Sequence, residues 1–296
     1  MEDKRGTYGN EAMYEITPLE MNLSSEWKQK EVLWGELHSQ FESVQNYLFM
    51  IGDEERMLTI MCEGAALLPD SILLRYADYE NLKKLGEFPT AKLEDYIQIN
   101  HIKIAQLKTS NCSLLELSLD KYRRKDFEQK RKQIHDFIAG SERKSDFERL
   151  PERYKINLNG FIEAIEGSYS ERMLVSFYKL IGAGRGLTPA ADDAIIGVLA
   201  GYLLKLSLEK KADTYLEIVG PILANLCKEK LTTKVSLKYL KCACRGAFSQ
   251  NLCKLIRILS GECKEGIRPI LEEIRKVGHS SGMDMLYGMD MMLQRG

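Results

Sequence analysis

The chain lacks the features that mark several common classes of protein. Its 296 residues include 42 Lys and Arg against 43 Asp and Glu, a formal net charge of −1, and so balanced a charge argues against a general nucleic-acid or membrane-surface role. The longest apolar run, Ala194 to Leu204, is too short to cross a bilayer. The polar start, Met1 to Gly6, has no apolar segment typical of an export signal. We therefore expect a cytoplasmic protein with no membrane or nucleic-acid partner.

The cysteines do not form a recognisable metal or disulfide framework. There are seven of them, and none belongs to a Cys-x-x-Cys pair. Cys242 and Cys244 are separated by one residue, which is too close for a usual zinc site. In a chain without an export signal this pattern predicts free thiols in a reducing compartment, most of them buried as small apolar side chains.

Two kinds of hydrophobic pattern divide the chain. Short apolar or alternating stretches predict β-strands at Val44–Ile51, Arg56–Cys62, Ser71–Tyr76, Ile97–Leu107 and Leu114–Leu119. Further on, helical periodicity separated by glycine-containing breaks predicts helices near 157–166, 170–180, 189–209, 213–228, 233–245, 248–259, 264–276 and 281–293. The chain is therefore predicted to be α+β, with a mostly antiparallel β domain followed by an all-helical domain.

We predict four regions in this order: a polar N-terminal extension over 1–43, a small β domain over 44–120, a helical connector over 121–155 and a helical domain over 156–296. The connector contains a basic cluster, Lys121 to Lys132. Acidic residues interrupt the cluster, and no aromatic residues alternate with the basic ones as a base-stacking surface would require. A solvated helix face is therefore favoured over a nucleic-acid site.

The segment from 182 to 193 is the richest in chemical features. Gly182, Gly184 and Gly186 alternate, so the backbone can take positive φ angles and let a ligand approach closely. Thr188 is suited to be the N-cap of the following helix, with Pro189 at its first position. A helix start next to such a loop favours a bound anion. The glycine spacing matches neither a nucleotide P-loop nor a dinucleotide fingerprint.

Two adjacent carboxylates, Asp192 and Asp193, follow in the first turn of that helix. One interpretation is favourable electrostatics at a helix start. The other is functional, because two acids beside an anion site require a cation or a polar group of the substrate between them. Together with Asp284 they would suit Mg²⁺ or Mn²⁺, and no other cofactor is indicated.

Two later segments carry polar residues at predicted helix starts. Thr232 and Thr233 open one helix, where simple capping is an adequate explanation. In the other, Ser281 and Asp284 have the spacing of a hydroxyl cap followed by an acid. Capping does not explain His279, which can stabilise an oxyanion or act as an acid or base near neutral pH.

Ser280 lies directly next to His279. Adjacent residues rarely have the geometry of a nucleophile and its base, so no catalytic triad is predicted. The favoured arrangement is a pocket in which several helix starts bind one anionic substrate.

These motifs resemble those of a known family. The run from Leu180 to Pro189, the Asp192–Asp193 pair, Thr232–Thr233 and the segment from Gly278 to Asp284 occur in the order found in AllH-type subunits of oxamate carbamoyltransferase. The resemblance covers mainly 170–296. Two departures are that Ala190–Ala191 replaces the usual Ser-Gly and that Arg185 stands where proline is common.

The resemblance implies a subunit of an enzyme that phosphorolyses oxalurate to oxamate and carbamoyl phosphate in purine or allantoin nitrogen catabolism. Implied partners are an FdrA-like subunit and a second subunit of uncharacterised-domain type. Phosphate, carbamoyl phosphate, oxalurate and oxamate are all anions, so each suits the predicted site.

The expected roles are as follows. The glycines, with Thr188, Thr232, Thr233 and Ser281, would bind the anion with help from Arg185. His279, Ser280 and Asp193 would take part in the chemistry. Two alternatives remain open: a metal-dependent hydrolase that uses Asp192 and Asp193, and a non-catalytic scaffold or ligand-sensing subunit.

Overall fold

The computed structural model describes residues 13–24, 27, 32–85, 90–93, 96–104, 117–228 and 230–295. The chain divides into two compact units, residues 1–111 and 112–296. The first contains a sheet and the second is helical, which confirms the predicted α+β class. Each unit has its own hydrophobic core.

The first unit is built on one nine-stranded sheet. Its strands are β1 (Tyr14–Ile16), β2 (Glu20–Asn22), β3 (Leu33–Gln40), β4 (Val44–Ile51), β5 (Glu54–Cys62), β6 (Ser71–Leu74), β7 (Thr90–Leu93), β8 (Ile97–Ile99) and β9 (Ile102–Ile104). Their spatial order is β1-β9-β8-β7-β3-β4-β5-β6-β2. The β1–β9 and β5–β6 pairs are parallel, and the other pairs are antiparallel.

Several sequence predictions in this unit need correction. Strands β1 to β3 lie within the region 1–43 that was interpreted as a polar extension, and Trp27 in that region is buried. Strands β1 and β2 have three residues each, too few to show a period. Strand β3 alternates half-buried with exposed residues, and its place is set by backbone pairing with β4 and β7.

The single strand predicted over 97–107 is instead a hairpin. Asn100 has a φ of 52° and turns the chain between β8 and β9, so that Ile97 pairs with Ile104 and Ile99 with Ile102. Residues 105–107 lie outside the described part. Of the candidate strand 114–119, residues 117–119 form no strand and the others lie outside the described part.

The predicted strand at 71–76 ends at Leu74, and a helix, α1 (Tyr76–Lys83), begins after Arg75. Tyr79 and Leu82 bury one side of this helix in the core of the sheet. The sequence prediction did not include α1, because eight residues with two buried positions give little periodicity.

The second unit contains nine α-helices in its described residues: α2 (Arg124–Gly140), α3 (Glu152–Glu166), α4 (Ser170–Leu180), α5 (Ala190–Leu208), α6 (Tyr215–Lys228), α7 (Lys234–Cys244), α8 (Gln250–Ser260), α9 (Ile267–Arg275) and α10 (Ser281–Leu293). Each of the eight helices predicted after residue 156 is present within a few residues of its expected bounds. Helix α2 lies in the region interpreted as a connector, and its residues Ile134 and Ile138 join the same core as the other helices.

Helices α5 and α10 pack against each other at very close range. A Cβ atom on Gly197 would lie 1.9 Å from the carbonyl oxygen of Met285, and one on Gly201 would lie 3.2 Å from side-chain atoms of Met292. Contacts therefore advance along both helices in the same direction, so the helices are parallel. Gly197 and Gly201, four residues apart on α5, provide the small-residue spacing that lets two helices approach closely.

Helix α5 is almost completely buried, as its continuous apolar run requires. Within the described ranges, no helix combines the length and apolar character needed to cross a membrane. The six cysteines in those ranges are free thiols: Cys62, Cys242, Cys244 and Cys253 are buried, Cys263 is half-buried and Cys227 is exposed.

Candidate functional site

The glycine loop between α4 and α5 uses the backbone freedom that its sequence indicated. The φ angles of Gly182, Gly184 and Gly186 are 74°, 120° and 97°, all in the region that favours glycine. A Cβ atom on Gly184 would lie 2.5 Å from the backbone nitrogen of Ala190. The loop is therefore folded tightly against the first residue of α5.

The start of α5 differs from the prediction in one respect. Its N-cap is Pro189, with a φ of −53° and a ψ of 141°, so Thr188 is not the cap. The hydroxyl of Thr188 instead hydrogen-bonds to that of Ser281 at 2.9 Å. Because Ser281 is the first residue of α10, this contact joins the starts of two parallel helices.

The first amides of α5 are largely used within the protein. Ala191 donates to the carbonyl of Ala183 at 2.9 Å, and Asp192 and Asp193 donate to that of Pro189 at 2.9 and 3.2 Å. The amide of Gly182 donates to the Asp192 carboxylate at 2.7 Å. The Gly182 amide therefore binds a carboxyl group of the protein itself.

The exposed tip of the loop remains available for a ligand. Residues 184–187 are exposed, and among the described residues no hydrogen-bond acceptor faces their four backbone amides. Arg185 lies in this tip and has no side-chain partner in the same ranges. The tip therefore offers amide donors and a free positive charge to an external anion.

Asp192 is surrounded by hydroxyl donors. Thr232 and Ser236 each donate to its Oδ2 at 2.5 Å, while Gly182 donates to Oδ1. Burial raises the pKa of Asp192, and these three donors partly offset the rise because they stabilise the ionised form. The contact with Thr232 brings the start of α7 to the glycine loop.

Asp193 lies deeper. Burial holds its pKa well above the ordinary value, hydrogen bonds from Ser281 and Thr188 oppose the rise, and the negative charges of Asp284 and Asp192 add to it. Its Oδ2 is buried and has no hydrogen-bond partner within the described part of the chain. A buried carboxyl group with an unpaired oxygen favours the protonated form.

Asp284, in the first turn of α10, is held by a segment that precedes α3. Ser145 donates to its Oδ1 at 2.6 Å and the amide of Phe147 donates at 2.8 Å. Burial raises the pKa of Asp284, and these bonds, together with one from the Ser280 hydroxyl, partly offset the rise. The predicted capping box at Ser281 is absent: Ser280 is the N-cap, and Ser281 bonds to Thr188 instead.

The geometry does not support the predicted metal set of Asp192, Asp193 and Asp284. Over the described ranges, no group of three or more His, Cys, Asp and Glu side chains could hold a metal ion. Hydroxyl and amide donors occupy both oxygens of Asp192 and Oδ1 of Asp284. These bonds show a structural role, because they tie the starts of α5, α7 and α10 to neighbouring loops.

The second threonine of the pair combines two contacts. Thr233 is the N-cap of α7, and its hydroxyl oxygen accepts from the Ser236 amide. The same hydroxyl donates to the carbonyl of Leu187 in the glycine loop. Capping therefore explains Thr233, as the simpler interpretation proposed.

His279 and Ser280 lie in the short loop before α10. The side chain of His279 is 90 % exposed, and its Nδ1 is 3.9 Å from Asp146 Oδ2. Ser280 is half-buried and hydrogen-bonds to Asp284. His279 is thus open to solvent, whereas the nearby serine is directed into the protein.

Three groups at this site were not predicted: Ser236, Ser145 and Arg143. The signal for Ser236 was its position three residues after the cap Thr233. The sequence around Ser145 and Arg143 carries no motif, since their role depends on contacts with residues more than 130 positions away.

The predicted site residues do not line either of two cavities in the helical unit. A cavity of about 640 Å³ lies between α2 and α9, and another of about 500 Å³ lies beside α5 and α6. Neither is lined by a predicted site residue. The candidate site is instead at the protein surface, where the exposed tip of the glycine loop and the hydroxyl groups of Thr188 and Ser281 adjoin buried carboxyl groups, and His279 lies two positions before Ser281.

The chain is thus an α+β protein whose helical unit brings the starts of the parallel helices α5 and α10 together beside an exposed glycine loop. Residues 180–293 match the family described as oxamate carbamoyltransferase subunit AllH. The match extends from the end of α4 through α10 and confirms the resemblance inferred from the motifs. No solved structure matches the chain.

Proposed function

We propose that this chain is a subunit of an oxamate carbamoyltransferase and binds an anionic substrate or product where α5 and α10 begin. The observation that carries the proposal is the hydrogen bond between Thr188 and Ser281. This bond joins the glycine loop before α5 to the segment from Gly278 to Asp284, and both lie inside the part of the chain that matches the family.

The chemistry of this surface suits a phosphate or carboxylate group. The amides of the exposed residues 184–187 form no hydrogen bond within the described part of the chain, and Arg185 is one of these four residues. Arginine binds carboxylate and phosphate with two parallel hydrogen bonds. Phosphate, carbamoyl phosphate, oxalurate and oxamate each carry such a group.

We assign different roles to the buried and exposed groups. Asp192, Asp193 and Asp284 keep the helix starts and loops in place, because each accepts bonds from other elements. Arg185 and the loop amides bind the anion, and His279 supplies a donor or a proton at the exposed edge. FdrA-like and uncharacterised-domain subunits are the proposed partners, and the cytoplasm is the proposed location.

Thermal unfolding tests the binding step. A ligand at about ten times its Kd adds roughly 1.4 kcal/mol, which corresponds to a rise in Tm of about 3–5 °C for a unit of this size. We expect carbamoyl phosphate or oxalurate to produce this rise, and Arg185→Met to remove most of it. Arg172→Met is the matched control, because Arg172 is exposed on α4 and contacts the Tyr169 ring.

The proposal fails if none of the four anions changes Tm, or if both arginine variants respond like the wild type. The enzyme step is tested separately by co-purifying the chain with the two partner subunits and measuring the phosphate-dependent conversion of oxalurate. A complex that keeps full activity without this chain would contradict a role in the reaction.

A further inference from the structure

The segment between α2 and α3 contacts the start of α10 and the loop that precedes it. Its residues 143–147 lie outside the stretch that matches the family and outside every motif in the sequence. We call this stretch the 143–147 segment. Four of its five residues contact α10 or the loop that precedes it.

Arg143 fixes the path of the chain as it leaves α9. Its Nη1 donates to the carbonyl of Arg275 at 2.7 Å, and its Nη2 donates to that of Gly278 at 2.8 Å. Because the guanidinium is planar and its donors have a fixed spacing, the two bonds lock both carbonyls in one orientation. Gly278 has a φ of 57° and turns the chain directly before His279.

The rest of the 143–147 segment contacts His279 and the first two turns of α10. Ser145 and the amide of Phe147 bind Asp284, and the Phe147 ring lies 5.6 Å from that of Tyr287. Ser145 and Phe147 are fully buried. Between them, Asp146 faces the imidazole of His279. His279 and Ser280 are thus placed between two anchored points, Gly278 and Asp284.

We infer that Arg143 is a positioning residue for the candidate site. It holds the loop that carries His279 and Ser280, directly before Ser281, which hydrogen-bonds to Thr188 of the glycine loop. The effect of Arg143 on anion binding rests on the proposed function, because it requires that the candidate site binds an anion. Arg143 extends the site into a part of the chain that the family resemblance does not cover.

The experiment uses the full chain with ¹³C-labelled histidine. The four histidines give four imidazole signals, and His279→Gln assigns the one from His279. Titration with carbamoyl phosphate follows that signal in the wild type, Arg143→Met and Arg143→Lys. Arg153→Met is the control, because Arg153 is exposed at the start of α3 and contacts the Tyr154 ring.

We expect Arg143→Met to weaken the apparent affinity about tenfold, since misplaced binding groups lose affinity steeply. Arg143→Lys keeps the charge and one donor, so its affinity should fall between those of the other two proteins. The control should match the wild type. An unchanged affinity in a folded Arg143→Met variant overturns the inference; if that variant does not fold, unchanged affinity in Arg143→Lys does so.

Amide hydrogen exchange separates this inference from the proposed function. If the wild type binds none of the anions, the proposed function fails, and exchange at residues 279–281 then decides the positioning role. We expect those amides to exchange about tenfold faster in the Arg143 variants, with no change in the control. Equal rates in all proteins overturn the inference.

Discussion

At the scale of single residues, Asp193 shows how burial changes the protonation of a carboxyl group. Asp193 is nearly inaccessible and one of its oxygens has no partner in the described ranges. Its pKa is raised by burial first and by the neighbouring carboxylates second. The native state therefore holds the Asp193 proton more tightly than the unfolded chain does.

This has a defined consequence for the dependence of stability on pH. A raised folded-state pKa means that the native state binds more protons than the unfolded state above about pH 4, so stability falls as pH rises toward the raised value. Asn in place of Asp193 keeps the shape and cannot ionise. We expect the free energy of unfolding of Asp193→Asn to depend less steeply on pH from about pH 4 upward. Its difference from the wild type should change by about 1.4 kcal/mol for each unit by which the pKa of Asp193 is raised.

Urea denaturation at several pH values measures this slope. Asp213→Asn is a suitable control, because Asp213 is exposed on a short 3-10 turn before α6. A slope in Asp193→Asn equal to that of the wild type would show that the native carboxyl group is not held in its neutral form.

At the scale of elements, the contact between α5 and α10 determines where the site forms. The helices approach so closely because glycines face backbone atoms across the interface. A Cβ atom on Gly288 would lie 1.9 Å from the carbonyl oxygen of Ala194, and Gly197 has the matching contact with Met285. The two helix starts meet as a result of this approach.

Substitution of one of these glycines should force the helices apart. We expect Gly197→Ala to lower the free energy of unfolding by about 2–3 kcal/mol, because the new methyl group meets a backbone carbonyl that no side-chain rotation can move. The free energy from urea denaturation, measured together with the Tm response to carbamoyl phosphate, tests both the packing and its effect on the site.

Gly140, the last residue of α2, provides the control in another helix. A Cβ atom there meets nothing within 4 Å, so Gly140→Ala should leave stability unchanged or raise it by up to about 1 kcal/mol through the better helix propensity of alanine. Similar effects of the two substitutions would contradict the proposed close contact.

At the scale of the whole molecule, the chain consists of two units with separate cores. The helical unit contains all the residues of the candidate site, and its core includes residues from every helix from α2 to α10. The unit therefore has the burial needed to fold on its own.

We predict that a fragment spanning 112–296 unfolds cooperatively and keeps the Tm response of the full chain to carbamoyl phosphate. Circular dichroism during thermal unfolding, with and without the anion, measures both properties. A fragment that is folded but unresponsive would show that the first unit contributes to binding.

Sequence alone determined the elements whose signal is local. Periodicity or residue type predicted the helices from 156 onward, the strand Val44–Ile51 and the positive φ angles of Gly182, Gly184 and Gly186. These properties depend on neighbours a few positions away, which the sequence shows directly.

Only the tertiary structure decided which polar groups meet. Thr188 bonds to Ser281 across 93 positions instead of capping its own helix, and Asp284 binds Ser145 and Phe147 instead of completing a capping box. Strands β1 and β2 likewise depend on distant partners, β9 and β6. A buried polar atom must find a bond wherever the fold provides one, so its partner is a property of the packing and cannot be derived from local sequence.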